Sequence, residues 1–433
     1  MHNDPRRKFL HQVMLGFGAV SLAGCGGGKV PTVNGGTPSA TPFSASPGGE
    51  SFAVSPPPSI PAPSAPQPLP TMPVWLVGVP TNRWVEIPGT VLAGSAGAPG
   101  ENSADFYAAS NIAIRAYSGM ALRDDISEVW VAAAGGHSDG SDNAVRSIVL
   151  AVDAPAWQLR SAASAMADRR ADSAYYADGK PTSRHTYWST QWSSTRQRLM
   201  LHRTRYSYGN ALSFEVTNGF NPITNTWDPR GTYSTPVQTP QCRDSSDNVW
   251  AMNPNENSIY KWAVATDTWT KTGAFGGTQF PFGPMVFAAD RGQFFALAWS
   301  DGQDGWPWGF DQINAWIING DGTSRQPITF NASAAYTQFA IDKPGYAALE
   351  YDPDNRRFLF YDARGTKVNR IYVITPNSST VWDMSLLSLE PAGVTPADAG
   401  PGGLMNKFRY VPALKGFVLL TSAVNNLYFL RTA

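Results

Sequence analysis

"EVWVAAAGGHSDGSDNAVRSIVLAVDAPAWQL", residues 128–159, holds the pattern on which the fold turns. An apolar run stops at Gly135 and Gly136, and an acidic, glycine-broken loop follows. A second apolar run, a polar turn and a short segment led by Trp157 complete the phrase. Runs of five to eight residues rich in Val, Ile and Trp, bounded by Gly, Asp and Asn, read as strands. No helical period of apolar residues competes with that reading.

The phrase recurs. A polar turn leads into a tryptophan in "NPITNTWDP" (Trp227), "AVATDTWTK" (Trp269), "PNSSTVWDM" (Trp382) and, near the front, "PTNRWVEI" (Trp84). Three further strands fit between successive tryptophans, so each unit is a four-stranded sheet of one repeat array. Blade one holds "AIRAYSGMAL", "EVWVAAAGG" and "AVRSIVLAV". Blade two holds "HTYWSTQW", "RLMLHRTR" and "ALSFEVTN", and blade three holds "PQCRDSS", "NVWAMNP" and "SIYKWAVA". The fourth ends in "QPITFNA" with no tryptophan, and the fifth closes on Trp382. The sixth stops one strand short at "NLYFLRTA", and the Trp84 segment supplies the missing strand. A ring closed in this way leaves no open edge. The expectation is an all-β propeller of six blades, with seven open because the loops between tryptophans vary in length. The Trp157, Trp227, Trp269 and Trp382 series is assigned to blade packing.

The glycine pair, the aliphatic strand and the Trp-led strand resemble the kelch repeat of β-propellers, most closely from Gly135 to Trp157. The resemblance implies a kelch-type propeller over residues 73–433. It also implies a ligand face over the central channel, built from loops that lead into the inner strands and loops that join strands two and three. Kelch propellers include oxidases, lyases, glycan binders and scaffolds, so the fold leaves function open.

On that top face the topology gathers His137 from "GGHSDG" with Arg184, His185 and Tyr187 from "DGKPTSRHTY". "HRTRYSYGN" adds Arg205, Tyr206 and Tyr208, and "SDGQDGWPWGFDQ" adds Trp306 and Trp308. Arg243 beside Cys242 and Arg364 after "YDA" complete the candidate binding set. His137, His185, Tyr187 and Tyr208 are the candidate acids and bases. For each, a structural role as turn cap or inter-blade strut is the competing reading.

The amino terminus, "MHNDPRRKFLHQVMLGFGAVSLAGC", has a basic start and an apolar run too short to span a bilayer. Arg6-Arg7 with Phe9-Leu10 resembles a twin-arginine export signal, and "LAGC" resembles a bacterial lipobox. The resemblance implies cleavage before Cys25 and lipid on its sulfur, leaving 1–24 as signal and 25–72 as a Pro/Ser/Gly-rich tether. The expected location is the cell envelope, with the outer membrane favoured in a double-membraned cell. Contact with the membrane is expected through the lipid anchor alone. Beyond residue 24 the chain carries 30 basic and 32 acidic residues. That balance predicts no nucleic-acid partner.

Cys25 and Cys242 are the only cysteines, so no disulfide framework and no cysteine-built zinc site are expected. Asp139, Asp142 and Asn143 lack the later bidentate Glu of a hand-type calcium loop. Kelch copper radical oxidases take histidines from late blades and an added domain, whereas His137, His185 and His202 all lie in the first two blades here. No metal or cofactor is expected, and the "GxSxG" nucleophile turn of serine hydrolases belongs to another fold. A saccharide or envelope component is the expected partner. Two alternatives stand beside it: a polysaccharide lyase using His, Tyr and Arg, and a protein-interaction scaffold.

Overall fold

A computed structural model of the chain describes residues 72–98, 114, 117–135, 140–171, 173–204, 214–236, 242–277, 280, 283–300, 312–400 and 402–433. His137, Arg205, Tyr206, Tyr208, Trp306, Trp308 and Cys25 lie outside these residues.

The first strand, β1 (Arg83–Glu86), belongs to the last blade. Blade one is β2 (Ala121–Arg123), β3 (Glu128–Ala132), β4 (Val145–Val149) and β5 (Gln158–Ser161). Blade two is β6 (Thr190–Ser193), β7 (Arg198–Thr204), β8 (Phe214–Asn221) and β9 (Thr226–Trp227). Blade three is β10 (Cys242–Arg243), β11 (Val249–Asn253), β12 (Ser258–Ala263) and β13 (Thr268–Ala274). Blade four is β14 (Met285–Ala288), β15 (Gln293–Ser300), β16 (Gln312–Asn319) and β17 (Arg325–Pro327). β18 (Thr329–Phe330) and the helix α1 (Ala334–Asp342) then lead into blade five, which is β19 (Ala348–Asp352), β20 (Arg357–Tyr361), β21 (Ile371–Thr375) and β22 (Val381–Leu386). Blade six is β23 (Phe408–Val411), β24 (Gly416–Leu419) and β25 (Tyr428–Arg431), with β1 on its outer edge. The chain is a six-bladed β-propeller.

Closure follows the expected route. β1 runs antiparallel to β25, with Trp84 opposite Leu430 and Arg83 opposite Arg431. Trp84 is buried and packs its ring against Tyr361 of blade five and Phe408 of blade six. The closing strand is thus also an inter-blade wedge. Elsewhere aromatic pairs join neighbouring blades in the same manner: Trp130 stacks on Trp192 at 5.9 Å, and Phe295 meets Phe358 at 4.7 Å. Tight turns between strands place Asn225, Asn257 and Asp267 in the left-handed region. Short polar side chains tolerate that region best after glycine.

Two strand assignments differ from the sequence reading. "QPITFNA" is not one strand of blade four. β17 pairs with β16 up to Pro327, and β18 then crosses to run parallel to β22, with Phe330 beside Trp382. The Ile328 N–H still donates to the Ala315 carbonyl at 2.9 Å, and the Thr329 N–H then turns to the Thr380 carbonyl of blade five. The inner strands of blades one and two also begin later than drawn, because Tyr117 and Tyr187 adopt φ of +47° and +46° and break the extended run.

Gly135 carries the crowding expected of the glycine pair. Its N–H donates to the Arg184 carbonyl, and a Cβ there would lie 2.6 Å from Ser183 Oγ.

Candidate functional site

The residues that lead into the inner strands meet over the channel. Tyr117, Tyr187, Tyr346 and Met405 stand ahead of β2, β6, β19 and β23, and all four have φ between +46° and +54°. A left-handed residue with a Cβ costs about 1–2 kcal/mol, so four at matching positions are held by their surroundings. Tyr117 lies 4.6 Å from His185, 5.9 Å from Tyr187 and 5.2 Å, edge to face, from Tyr346. Blades one and five are not neighbours, so the Tyr117–Tyr346 contact spans the ring. The Tyr187 hydroxyl is 3.5 Å from His185 Nδ1.

Hydrogen bonds fix this roof. The Tyr187 N–H donates to the Tyr117 carbonyl at 2.8 Å, and the Leu404 N–H donates to that of Tyr346, also at 2.8 Å. Asn406 ties three blades together. Its Oδ1 accepts from the Met120 N–H at 3.0 Å, and its Nδ2 donates to the Trp188 and Thr190 carbonyls at 3.3 and 3.0 Å. Gly119 is required beside it, because a Cβ there would run into Asn406 Oδ1 and the Tyr187 carbonyl.

His185 and Tyr187 therefore sit in one constellation, as the sequence expected of them. They are 4 % and 5 % exposed, whereas Tyr117 and Tyr346 are half-buried and offer more ring surface. Arg364 stands at the rim. Its guanidinium lies 5.5 Å from the Tyr346 ring centre and pairs with Asp362 and the Gly345 carbonyl.

Arg184 is placed differently. It is fully buried, with Nε donating to the Thr182 carbonyl and Nη1 to Asn218 Oδ1 of blade two. Burial pushes its guanidinium down to about 10. This is the geometry of a strut between the blade-one-to-two connection and β8. His202 is also a core group: its ring stands edge-on to Trp262 and Trp269, and burial pushes the imidazole down to about 3.

Arg243 faces the other end of the channel. It pairs with Asp247 at 2.9 Å and reaches across to Asp124 of blade one at 3.2 Å. It lines a pit of about 540 Å³ whose inner end is walled by Trp188 and Asn406. The exposed mouth lies where the inner strands finish, at Asp124, Ser194 and Pro353.

Sequence reasoning missed Tyr117, Tyr346 and Asn406. A signal was present: "AYSG", "TYWS" and "GYAA" each put a tyrosine just ahead of an inner strand. Among the described residues no three His, Cys, Asp or Glu side chains gather as a metal-binding set.

No family profile matches the chain, and no curated protein matches it. Among solved structures it is similar to a fungal alcohol oxidase of the AA5 family determined in complex with copper. The two share 14 % identity with a TM-score of 0.38, over 72 % of this chain. The chain spans 62 % of the length of that protein.

Proposed function

We propose that this chain is an exported, lipid-anchored propeller that binds a saccharide or cell-envelope component through its top face. The observation that carries the reading is the half-buried Tyr117–Tyr346 pair over the channel with Arg364 at its rim. Tyrosine faces suit the apolar face of a sugar ring, and their hydroxyls suit its polar edge. Arg364 suits a carboxylate or hydroxyl pair. His185 and Tyr187 form the floor that keeps the rings in place.

The 3.5 Å approach of His185 to Tyr187 favours one second reading, a polysaccharide lyase. In that reading the imidazole removes the α-proton of a uronate, the phenol protonates the leaving oxygen, and Arg364 neutralises the carboxylate. The burial of both groups favours the binding role over the catalytic one.

A glycan panel, run with an absorbance assay for unsaturated products, tests both readings. The expected result is binding without turnover. Tyr117→Ala weakens binding by about 1 kcal/mol, the value of an aromatic contact. Arg364→Ala weakens it by about 2 kcal/mol, the value of a charged hydrogen bond. Glycan binding that survives both substitutions removes the top face from the proposal. A rise in absorbance that His185→Gln abolishes establishes the lyase instead.

The anchor has its own check. Cys25→Ser is expected to abolish fatty-acid labelling and release the chain from membranes. Labelling that persists in Cys25→Ser refutes the lipobox.

A further inference from the structure

The pit on the lower face holds a second cluster that the top-face reading does not use. Glu350 of β19 and Arg409 of β23 face each other across two blades, with Arg409 Nε 2.9 Å from Glu350 Oε1. Their side chains are 11 % and 17 % exposed, and both line the pit. The contact is close but poorly aligned: Nε is buried and makes no hydrogen bond among the described residues. Arg243, by contrast, is met by both Asp247 and Asp124.

We propose that the pit binds a small hydroxylated carboxylate, a hydroxy acid or sugar acid, whose carboxylate takes the place of Glu350 on Arg409. The ligand carboxylate forms the ion pair with Arg409, and Glu350 accepts one proton from solvent as it loses that partner. Charge therefore balances within the pit. At the mouth, Ser194, Thr195, Ser245 and Ser246 are exposed on the wall and supply hydroxyl partners for the rest of the ligand. The volume suits a molecule of that size, since small-molecule sites run from about 300 to 1,000 Å³.

The electrostatics support the exchange. Burial pushes the Glu350 carboxyl up to about 7, against the pull of Arg409 and of the Tyr410 N–H; Asp124 adds to the rise and Arg243 opposes it. The remaining titratable neighbour on β10, Cys242, is driven well above the usual thiol range by burial and stays uncharged. Glu350 is thus poised to take a proton near neutrality. A bound anion raises its pKa further, so binding is strongest below pH 7. Above that value affinity falls by about tenfold per pH unit, until the pKa of the complex is reached.

The experiment is calorimetric titration of the full chain, in detergent, with galacturonate and with galactose. It is run at pH 6 and pH 8.5, each in two buffers of different ionisation heat. Galacturonate is expected to bind at pH 6 and galactose not to bind in the pit. Galacturonate affinity is expected to drop by up to about thirtyfold at pH 8.5, with close to one proton taken up. Glu350→Gln, which copies the protonated acid, keeps the affinity and flattens the pH profile. Arg409→Gln loses binding with an unchanged melting transition.

The proton count on the unaltered chain decides the matter even if Arg409→Gln fails to fold. Absence of galacturonate binding at pH 6, equal binding of galactose that competes with galacturonate, or no proton uptake at pH 8.5 overturns the proposal. Binding that Tyr117→Ala removes belongs to the roof, and it too overturns the assignment to the pit.

Discussion

Trp84→Ala lowers the stability of the propeller by about 3–5 kcal/mol, the usual cost of emptying a buried tryptophan site. The indole is 2 % exposed, and its neighbours Tyr361 and Phe408 belong to two different blades. Truncation therefore leaves a void at a blade interface rather than within one sheet. Deleting residues 81–89 goes further. It removes the whole ladder from Arg83–Arg431 to Glu86–Tyr428 and bares the edge of β25. An open edge with paired aromatic strands behind it recruits other chains. The deletion is expected to aggregate on warming at concentrations where the parent stays monodisperse. Denaturant melts and light scattering during a thermal ramp measure the two effects. An unchanged midpoint for Trp84→Ala would contradict the closure.

Asn406→Asp is the second large effect, a loss of about 3–5 kcal/mol for a nearly isosteric change. The carboxylate still accepts from the Met120 N–H, but it donates nothing to the Trp188 and Thr190 carbonyls. The buried Thr190 carbonyl loses its partner, at about 1–3 kcal/mol, the Trp188 carbonyl is left with Gln191 alone, and an unpaired charge appears at a site 4 % exposed. The charge makes the penalty pH-dependent, because protonation of the new carboxyl restores one donor. Melting is thus expected to recover partly as pH falls toward 5. A loss below about 1 kcal/mol at pH 7 would show that Asn406 is not the tie between blades six, one and two.

The blades were legible because their marks are local. Each Trp-led strand follows an Asn- or Asp-bearing turn, and the missing fourth strand of the last blade pointed to Trp84. β18 was not legible, since two residues after Pro327 carry no pattern that separates continuing in blade four from crossing to blade five. The roof was half legible. His185 and Tyr187 sit close in sequence, so one loop could be drawn around them. Tyr117 and Tyr346 meet only because the ring closes, and no local pattern encodes a contact across it. Arg243 joins the top-face set in the sequence only as the neighbour of Cys242. Its strand is two residues long, and the Asp247 and Asp124 carboxylates draw its side chain to the lower end. Arg184 carried the right chemistry for a ligand contact. What makes it a strut is Asn218 on β8, an acceptor that sequence spacing does not announce.

The Velcro-like seam between β1 and β25 also sets an order of events during synthesis. The Arg431 guanidinium donates to the Val79 carbonyl, a partner 352 residues earlier in the chain. Blades one to five can pack as they leave the ribosome, at about 5–20 residues per second. The first folded strand must meanwhile wait, unpaired, for the last strand to emerge. Such distant pairing is the slow, high-contact-order step of folding. Until blade six emerges, the 83–86 segment has no strand beside it, and Trp84 has only Tyr361 of its two blade neighbours to pack against.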